Sequence, residues 1–183
     1  MSQRDSGYAR QERDLYETPE WVTEALLPHL PRKPNRVWEP ACGSGKMLRV
    51  LSEYYPAIGS DIDRGEDFIL PWNDKEPSVR GIMFDAIITN PPYNLAREFI
   101  EQALRYTEPR AGFVAMLLRT DYDHAKTRSH LFRDCPAFAK KVVLMKRIVW
   151  FEGGKSPSFN HAWFIWDWQT DGAPSIAYAP AGA

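Results

Sequence analysis

Apolar residues fall in short bursts along the chain, and the spacing within each burst predicts its element. Trp21, Val22, Ala25, Leu26 and Leu27 recur at helical intervals behind Thr18-Pro19-Glu20. Thr18 is expected to cap that helix, with Pro19 at its first position. The helix should end near His29, where Pro28, Pro31 and Pro34 cannot continue it. Arg36-Val37-Trp38 reads as a short strand, and Met47, Leu48, Val50 and Leu51 return to helical spacing after a glycine turn. Residues 57–62 form a second short strand ending in acid, and 67–70 a weaker third element. Residues 84–89 are a buried strand, and 96–106 a helix with Phe99, Ile100, Ala103 and Leu104 on one side. Residues 112–118 are apolar throughout, as a central strand should be. Residues 124–132 are expected to be helical, 141–145 and 162–166 are the last two strands, and the Ala-, Pro- and Gly-rich tail from Gln169 should be loose. Strands alternating with helices predict an α/β domain with a mainly parallel sheet, whose ligands bind beyond the carboxyl ends of the strands.

Length adds boundaries to this pattern. The 183 residues suit a polar lead-in at 1–14, a single domain over 15–168 and a tail over 169–183. No apolar run reaches membrane-spanning length, and the polar start lacks a secretory leader. Cys42 and Cys135 make no disulfide framework, and no Cys/His cluster has metal spacing. A cytoplasmic protein with no metal and no membrane partner is the expectation. The net charge of −1 excludes a chain that is basic overall. Between Arg119 and Lys155, however, nine Lys/Arg stand against four Asp/Glu, so this stretch carries +5 and the remainder −6. Either a basic face for a polyanion or an ordinary solvated surface would give that asymmetry. For the face, Arg119, Lys126, Arg128, Arg147 and Lys155 are the candidate phosphate contacts.

The chemistry is concentrated in Asn90-Pro91-Pro92-Tyr93, at the end of the 84–89 strand. A planar NH2 group conjugated to a ring or carbonyl is a poor nucleophile. Two fixed acceptors, the Asn90 side-chain oxygen and the Pro91 carbonyl, can each take one amino hydrogen and turn the lone pair outward. The two prolines fix φ and so place the carbonyls in advance, and Tyr93 offers a ring face for stacking. Upstream, Glu39-Pro40-Ala41-Cys42-Gly43-Ser44-Gly45 lacks the third glycine of a dinucleotide fingerprint and the Lys-Ser/Thr of a phosphate loop. Glu39 would repel a pyrophosphate but could pair with the amino group of a methionine moiety, which Gly43 and Gly45 let approach. Asp61 could accept from two ribose hydroxyls, or serve as a helix cap or turn residue. Asp67 and Phe68 could hold an adenine. These residues trace methionine, ribose and adenine across successive strand ends.

With these motifs the chain resembles the S-adenosylmethionine-dependent amino-methyltransferases, most closely the N6-adenine DNA methyltransferases. Tyr16-Glu17-Thr18-Pro19 is similar to a Tyr-x-Thr-Pro segment that the family places ahead of its cofactor loop. The resemblance runs over about residues 16 to 120. It implies a Rossmann-like class I methyltransferase fold: a seven-stranded, mostly parallel sheet with an antiparallel last strand and helices on both faces, the 142 and 162 strands supplying the hairpin. It implies S-adenosylmethionine contacts from Tyr16, Thr18, Pro19, Glu39, Pro40, Ala41, Gly43, Gly45, Asp61, Ile62, Asp67, Phe68 and Asn90. It also implies an aromatic packing on a flipped target base, with Phe151 the best match and Trp150 and Phe159 as alternatives, either of which could instead be a core ring. The family's usual target-recognition domain has no counterpart here, so specificity should be slight or come from loops, a partner or a homodimer. Adenine N6 in DNA is the expected acceptor. RNA adenine, a protein glutamine amide and a non-catalytic binding role are the rivals.

Overall fold

Alternate side chains of a strand point to opposite faces, so a fully apolar strand must be covered on both sides. That condition is met over residues 16–69, 81–150 and 159–180, the part of the chain described in the computed structural model. The strands there are β1 (Val37–Glu39), β2 (Ala57–Gly59), β3 (Ala86–Thr89), β4 (Phe113–Arg119), β5 (Phe138–Leu144), β6 (His161–Asp167) and β7 (Ser175–Ala179). The helices are α1 (Glu20–Glu24), α2 (Lys46–Tyr54) and α3 (Ala96–Thr107). The strands form one sheet in the order β2-β1-β3-β4-β6-β5-β7. β6 runs antiparallel to both its neighbours, and every other pairing is parallel.

On one face Val114, Met116, Leu118, Phe164 and Trp166 pack with Trp38, Ile87 and the Phe99, Ile100 and Ala103 side of α3. On the other, Phe113, Ala115, Leu117, Trp163 and Ile165 pack with Val22 and Leu26 from the N-terminal helical segment and Met47 and Leu51 of α2. The large indoles can be buried because each N–H finds an acceptor: Trp38 on Ser60 Oγ at 2.8 Å, Trp163 on the Val22 carbonyl at 2.9 Å and Trp166 on the Leu131 carbonyl at 2.6 Å. Gly59 is held to glycine by close approach, since a Cβ there would lie 2.7 Å from Leu48 Cδ2 and 2.9 Å from Cys42 Sγ.

Several expectations are corrected. Pro19, extended at φ −60° and ψ 148°, precedes α1 as its cap, and no side chain caps the helix, so Thr18 lies one position too early. Pro28 ends the regular helix, and the chain continues as a single 3-10 turn over Leu27–His29. Residues 124–132 form 3-10 turns, Tyr122–His124 and Lys126–Leu131, because polar Asp, Thr and Ser interrupt any apolar 3.6-residue repeat. Asp67 Oδ1 accepts from the Ile69 N–H at 2.9 Å, a side-chain turn in place of the weak third strand. The tail is not loose as a whole: Ser175–Ala179 pairs parallel with β5 as β7. Ile176 and Tyr178 supply the β-forming residues that the surrounding Ala, Pro and Gly obscured. The lead-in, Phe151 and Lys155 lie outside the described residues.

Candidate active site

The carboxyl ends of β1, β2 and β3 converge on a cavity of about 360 Å³, within the range of small-ligand sites. β1 and β2 continue past their ladder through Ser60 N–H on the Glu39 carbonyl and Cys42 N–H on the Ser60 carbonyl, both at 3.0 Å. The glycine turn then closes tightly, with Gly45 N–H on the Cys42 carbonyl at 2.7 Å and Gly45 at φ 88° just before α2. Only a residue without Cβ takes that left-handed conformation without strain.

Tyr16, Thr18, Glu39, Pro40, Ala41, Gly43, Asp61, Ile62, Asp67, Phe68, Asn90 and Pro92 all reach the cavity wall, so sequence order became spatial order. Pro19 and Gly45 do not line it; they set the geometry of flanking turns. Sequence reading missed Glu17, Lys46, Met47, Glu66, Leu95 and Phe99 on the same wall. Glu17 and Lys46 form an ion pair at 2.7 Å, which together with Ser44 holds the Glu17 carboxyl below its ordinary range. The Gly-Lys pair in the loop was the available signal for Lys46. Phe68 is only 2% exposed, its ring edge-on to Trp38 at 5.0 Å and against Phe99 at 5.0 Å. Ile62, 57% exposed, also lines the cavity.

The two acids differ sharply. Asp61 is used by the backbone: its carboxylate accepts from Gly43 N–H at 2.7 Å and from Asp63 N–H at 3.0 Å, pinning the glycine turn to β2. Glu39 is 2% exposed, and its Oε2 has no hydrogen-bond partner among the described residues. Burial and then the negative charge of Asp61 push its pKa well up. Cys42 lines the cavity with its thiol pKa raised by burial and by Glu39, the opposite of an activated nucleophile.

Asn90 Nδ2 donates to the Tyr16 carbonyl at 3.0 Å. Since a carbonyl can only accept, this bond fixes which way the amide points. Its Oδ1 is then buried with no partner among the described residues. Beside it, four rings close a circle. Tyr16 lies 5.7 Å from Tyr93 and 5.5 Å from Trp150, and His161 lies 6.0 Å from Tyr93 and 5.2 Å from Trp150. Tyr93 Oη and His161 Nε2 are hydrogen-bonded at 2.8 Å. Burial, then Arg119, depresses the His161 pKa to about 4, so its imidazole is neutral at physiological pH. Sequence reading missed His161, whose only signal was a polar residue heading an apolar strand.

The basic segment is largely tethered. Arg119 bonds Asp121 and lies over the Phe159 ring at 3.9 Å, Arg128 bonds the Tyr122 carbonyl and covers its ring, and Arg147 donates to Asn160. Among the described residues no group of His, Cys, Asp and Glu could hold a metal ion, and no helix is long and apolar enough to cross a membrane.

No family model matches the chain, and no curated protein matches it significantly. Solved structures do. A Listeria monocytogenes protein described as a class I S-adenosylmethionine-dependent methyltransferase superposes with a TM-score of 0.54 at 16% identity, over 87% of this chain and 62% of its own. The fold is that of the class I methyltransferases. The same fold is found in the M protein of the EcoKI type I restriction enzyme, with a TM-score of 0.60 at 12% identity, covering 89% of this chain and 48% of that one. It is found again in the methyltransferase subunit of a type I restriction-modification system from Streptococcus thermophilus, at 0.55 and 14%, covering 83% and 43%. The chain therefore spans between about two-fifths and three-fifths of these neighbours' lengths. Within the methyltransferase fold, β6 is the single reversed strand among the described residues, and the tail adds β7 beyond β5 at the sheet edge.

Proposed function

We propose that the chain binds S-adenosylmethionine in the cavity and methylates the exocyclic N6 amino group of adenine in DNA. The observation that carries this is the orphaned Asn90 Oδ1. A buried acceptor without a partner costs about 1–3 kcal/mol, and such a cost is tolerated where a ligand hydrogen completes the bond. The cofactor fits on similar grounds. Glu39 Oε2 is a buried, unpartnered carboxylate oxygen in the same wall, suited to an ammonium group. Glu39 would hold the methionine end, with Tyr16, Thr18, Pro40, Ala41 and Gly43 around it. Asp61, Ile62, Asp67 and Phe68 would receive the nucleoside. When bound, the cofactor supplies an electrophilic methyl group.

The remaining work belongs to this chain's own groups. Asn90 Oδ1 accepts one amino hydrogen and the Pro91 carbonyl the other, directing the nitrogen lone pair. Tyr93 stacks on the base, which must leave its helical stack to arrive. After transfer the amino nitrogen would release its excess proton to water, so no dedicated base is needed among this chain's residues. Positioning and fixed dipoles supply the catalysis. Arg119, at the carboxyl end of β4, and Arg147, three residues past β5, suit phosphate contacts once exchanged from Asp121 and Asn160. The type I neighbours are by name parts of larger systems, which supports a partner that chooses the target sequence.

The test is incubation with labelled S-adenosylmethionine and unmethylated DNA, RNA or protein, followed by mapping of the modified group. Label as N6-methyladenine in DNA is expected. Label in RNA alone moves the acceptor to RNA, and label in protein alone, or none, refutes the adenine reading.

A further inference from the structure

Resting on that reading, we propose that His161 is the positioning residue for acceptor stacking: it anchors the Tyr93 hydroxyl and so sets the tilt of the ring that receives the base. A phenol ring turns about a soft torsion, so the motif's backbone alone does not fix the ring's plane. The bond from Tyr93 Oη to His161 Nε2, 2.8 Å long, pins the far end of that ring, and because a phenolic O–H prefers the ring's own plane it also biases the ring's rotation. The two rings lie 28° from parallel, with centroids 6.0 Å apart.

His161 is itself immobilised, which a useful anchor must be. It is 3% exposed and heads β6, paired in register with Arg119 of β4. Trp150 packs edge-on at 86°, its ring centroid 5.2 Å from that of the imidazole. The groups that bear on its charge are Arg119, which opposes protonation, and Asp121, which favours it. Its Nδ1 is buried and has no partner among the described residues. A strand position of this kind would more simply hold an apolar side chain. An imidazole with one orphaned nitrogen is accounted for by the other nitrogen's task. Through Tyr93 that task reaches Asn90, three residues earlier in the same rigid turn, so the stacking face and the amino-hydrogen acceptor are aligned by one network.

The experiment compares His161→Leu, His161→Gln and Tyr93→Phe, with cofactor affinity measured by calorimetry and transfer to an adenine-containing DNA duplex by steady-state kinetics. His161→Leu is expected to raise KM for DNA roughly tenfold, the order of one hydrogen bond's contribution, with cofactor Kd unchanged. Glutamine keeps a polar nitrogen within reach of the hydroxyl and should recover most of the loss. Tyr93→Phe should match His161→Leu, and the double variant should be no worse than either, since both cut the same bond. A merely structural His161 would lower the melting temperature and cofactor affinity together, and glutamine would not restore the KM. Wild-type KM in His161→Leu overturns the inference. Should that variant fail to fold, wild-type KM in Tyr93→Phe overturns it equally. A wild-type protein that binds cofactor yet methylates no nucleic acid refutes the parent reading, and this inference with it.

Discussion

Replacing Glu39 with glutamine should make the empty protein more stable and the cofactor complex weaker. The side chain is 2% exposed, with one carboxyl oxygen unpartnered among the described residues. Burial and Asp61 raise its pKa above the ordinary 4.5. An acid whose folded pKa is raised contributes stability that is complete below the unfolded value and is lost as pH climbs through the folded one. At pH 8 the wild-type protein must therefore hold either a buried charge that the Leu48 backbone N–H offsets only in part, or a proton. Leaving a buried polar group unsatisfied costs about 1–3 kcal/mol, more if charged. A glutamine amide keeps part of that penalty, so the net gain should be about 1–2 kcal/mol. For a chain of this length each kcal/mol shifts Tm by about 2–4 °C, giving a rise of roughly 2–8 °C. The gap should close as pH approaches 4.5. An ammonium ligand inverts the outcome: glutamine loses the charge pair, weakening binding roughly 30-fold or more. Wild-type binding near neutral pH should also release protons, detectable by titration calorimetry in buffers of different ionisation heat. Thermal melts from pH 5 to 8.5, with and without S-adenosylmethionine, give the remaining readings. A Glu39→Gln protein that melts below wild type at pH 8 and binds cofactor normally would refute the reasoning.

Other substitutions separate the roles of neighbouring residues. Asn90→Ala should reduce methyl transfer on the order of 10²-fold or more while cofactor Kd changes little, measured by radiolabel transfer and calorimetry; full activity would remove Asn90 from the mechanism. Asp61→Ala should weaken cofactor binding and also cost about 1–3 kcal/mol in denaturant unfolding, because the Gly43 and Asp63 amides lose their acceptor; unchanged stability would sink the second role. Gly59→Ala should destabilise by about 1–3 kcal/mol through overpacking against Leu48 and Cys42, read from the urea midpoint.

What the sequence made legible was set by which interactions are local. The β3 strand, the glycine turn and α3 carry their own patterns in neighbouring residues, and the structure has them within about two residues of expectation. Thr18 was misread as a cap because the cap signal concerns residue type, whereas the turn geometry at Pro19 decides where helical dihedrals begin. β7 was hidden because its pairing partner, β5, lies more than thirty residues away and its own residues are flanked by turn formers. His161 and Lys46 carried only weak signals for a further reason. Each matters through a partner distant in sequence, Tyr93 and Glu17, and a lone histidine or lysine announces no such partner.

The site's polar economy explains why these residues coincide. Among the described residues, the buried side-chain atoms without a partner are on Thr23, Glu39, Thr89, Asn90, Asp123 and His161. Four of those six belong to the carboxyl ends of β1 and β3 or to the ring cluster beside them. The indoles of the core, by contrast, each found an acceptor. A fold able to satisfy its bulky core donors has the means to satisfy a glutamate and an asparagine. On the proposed function, leaving them open where three strands end beside one cavity holds these groups ready for a ligand, at a stability cost the rest of the sheet offsets. The Tyr16 segment makes this readiness cooperative. Its carbonyl orients Asn90 and its ring joins the aromatic circle, while the next residue pairs with Lys46 at the start of α2. Disturbing that segment should therefore impair cofactor binding and acceptor alignment together, whereas changes confined to Glu39 or Asn90 should impair one of the two.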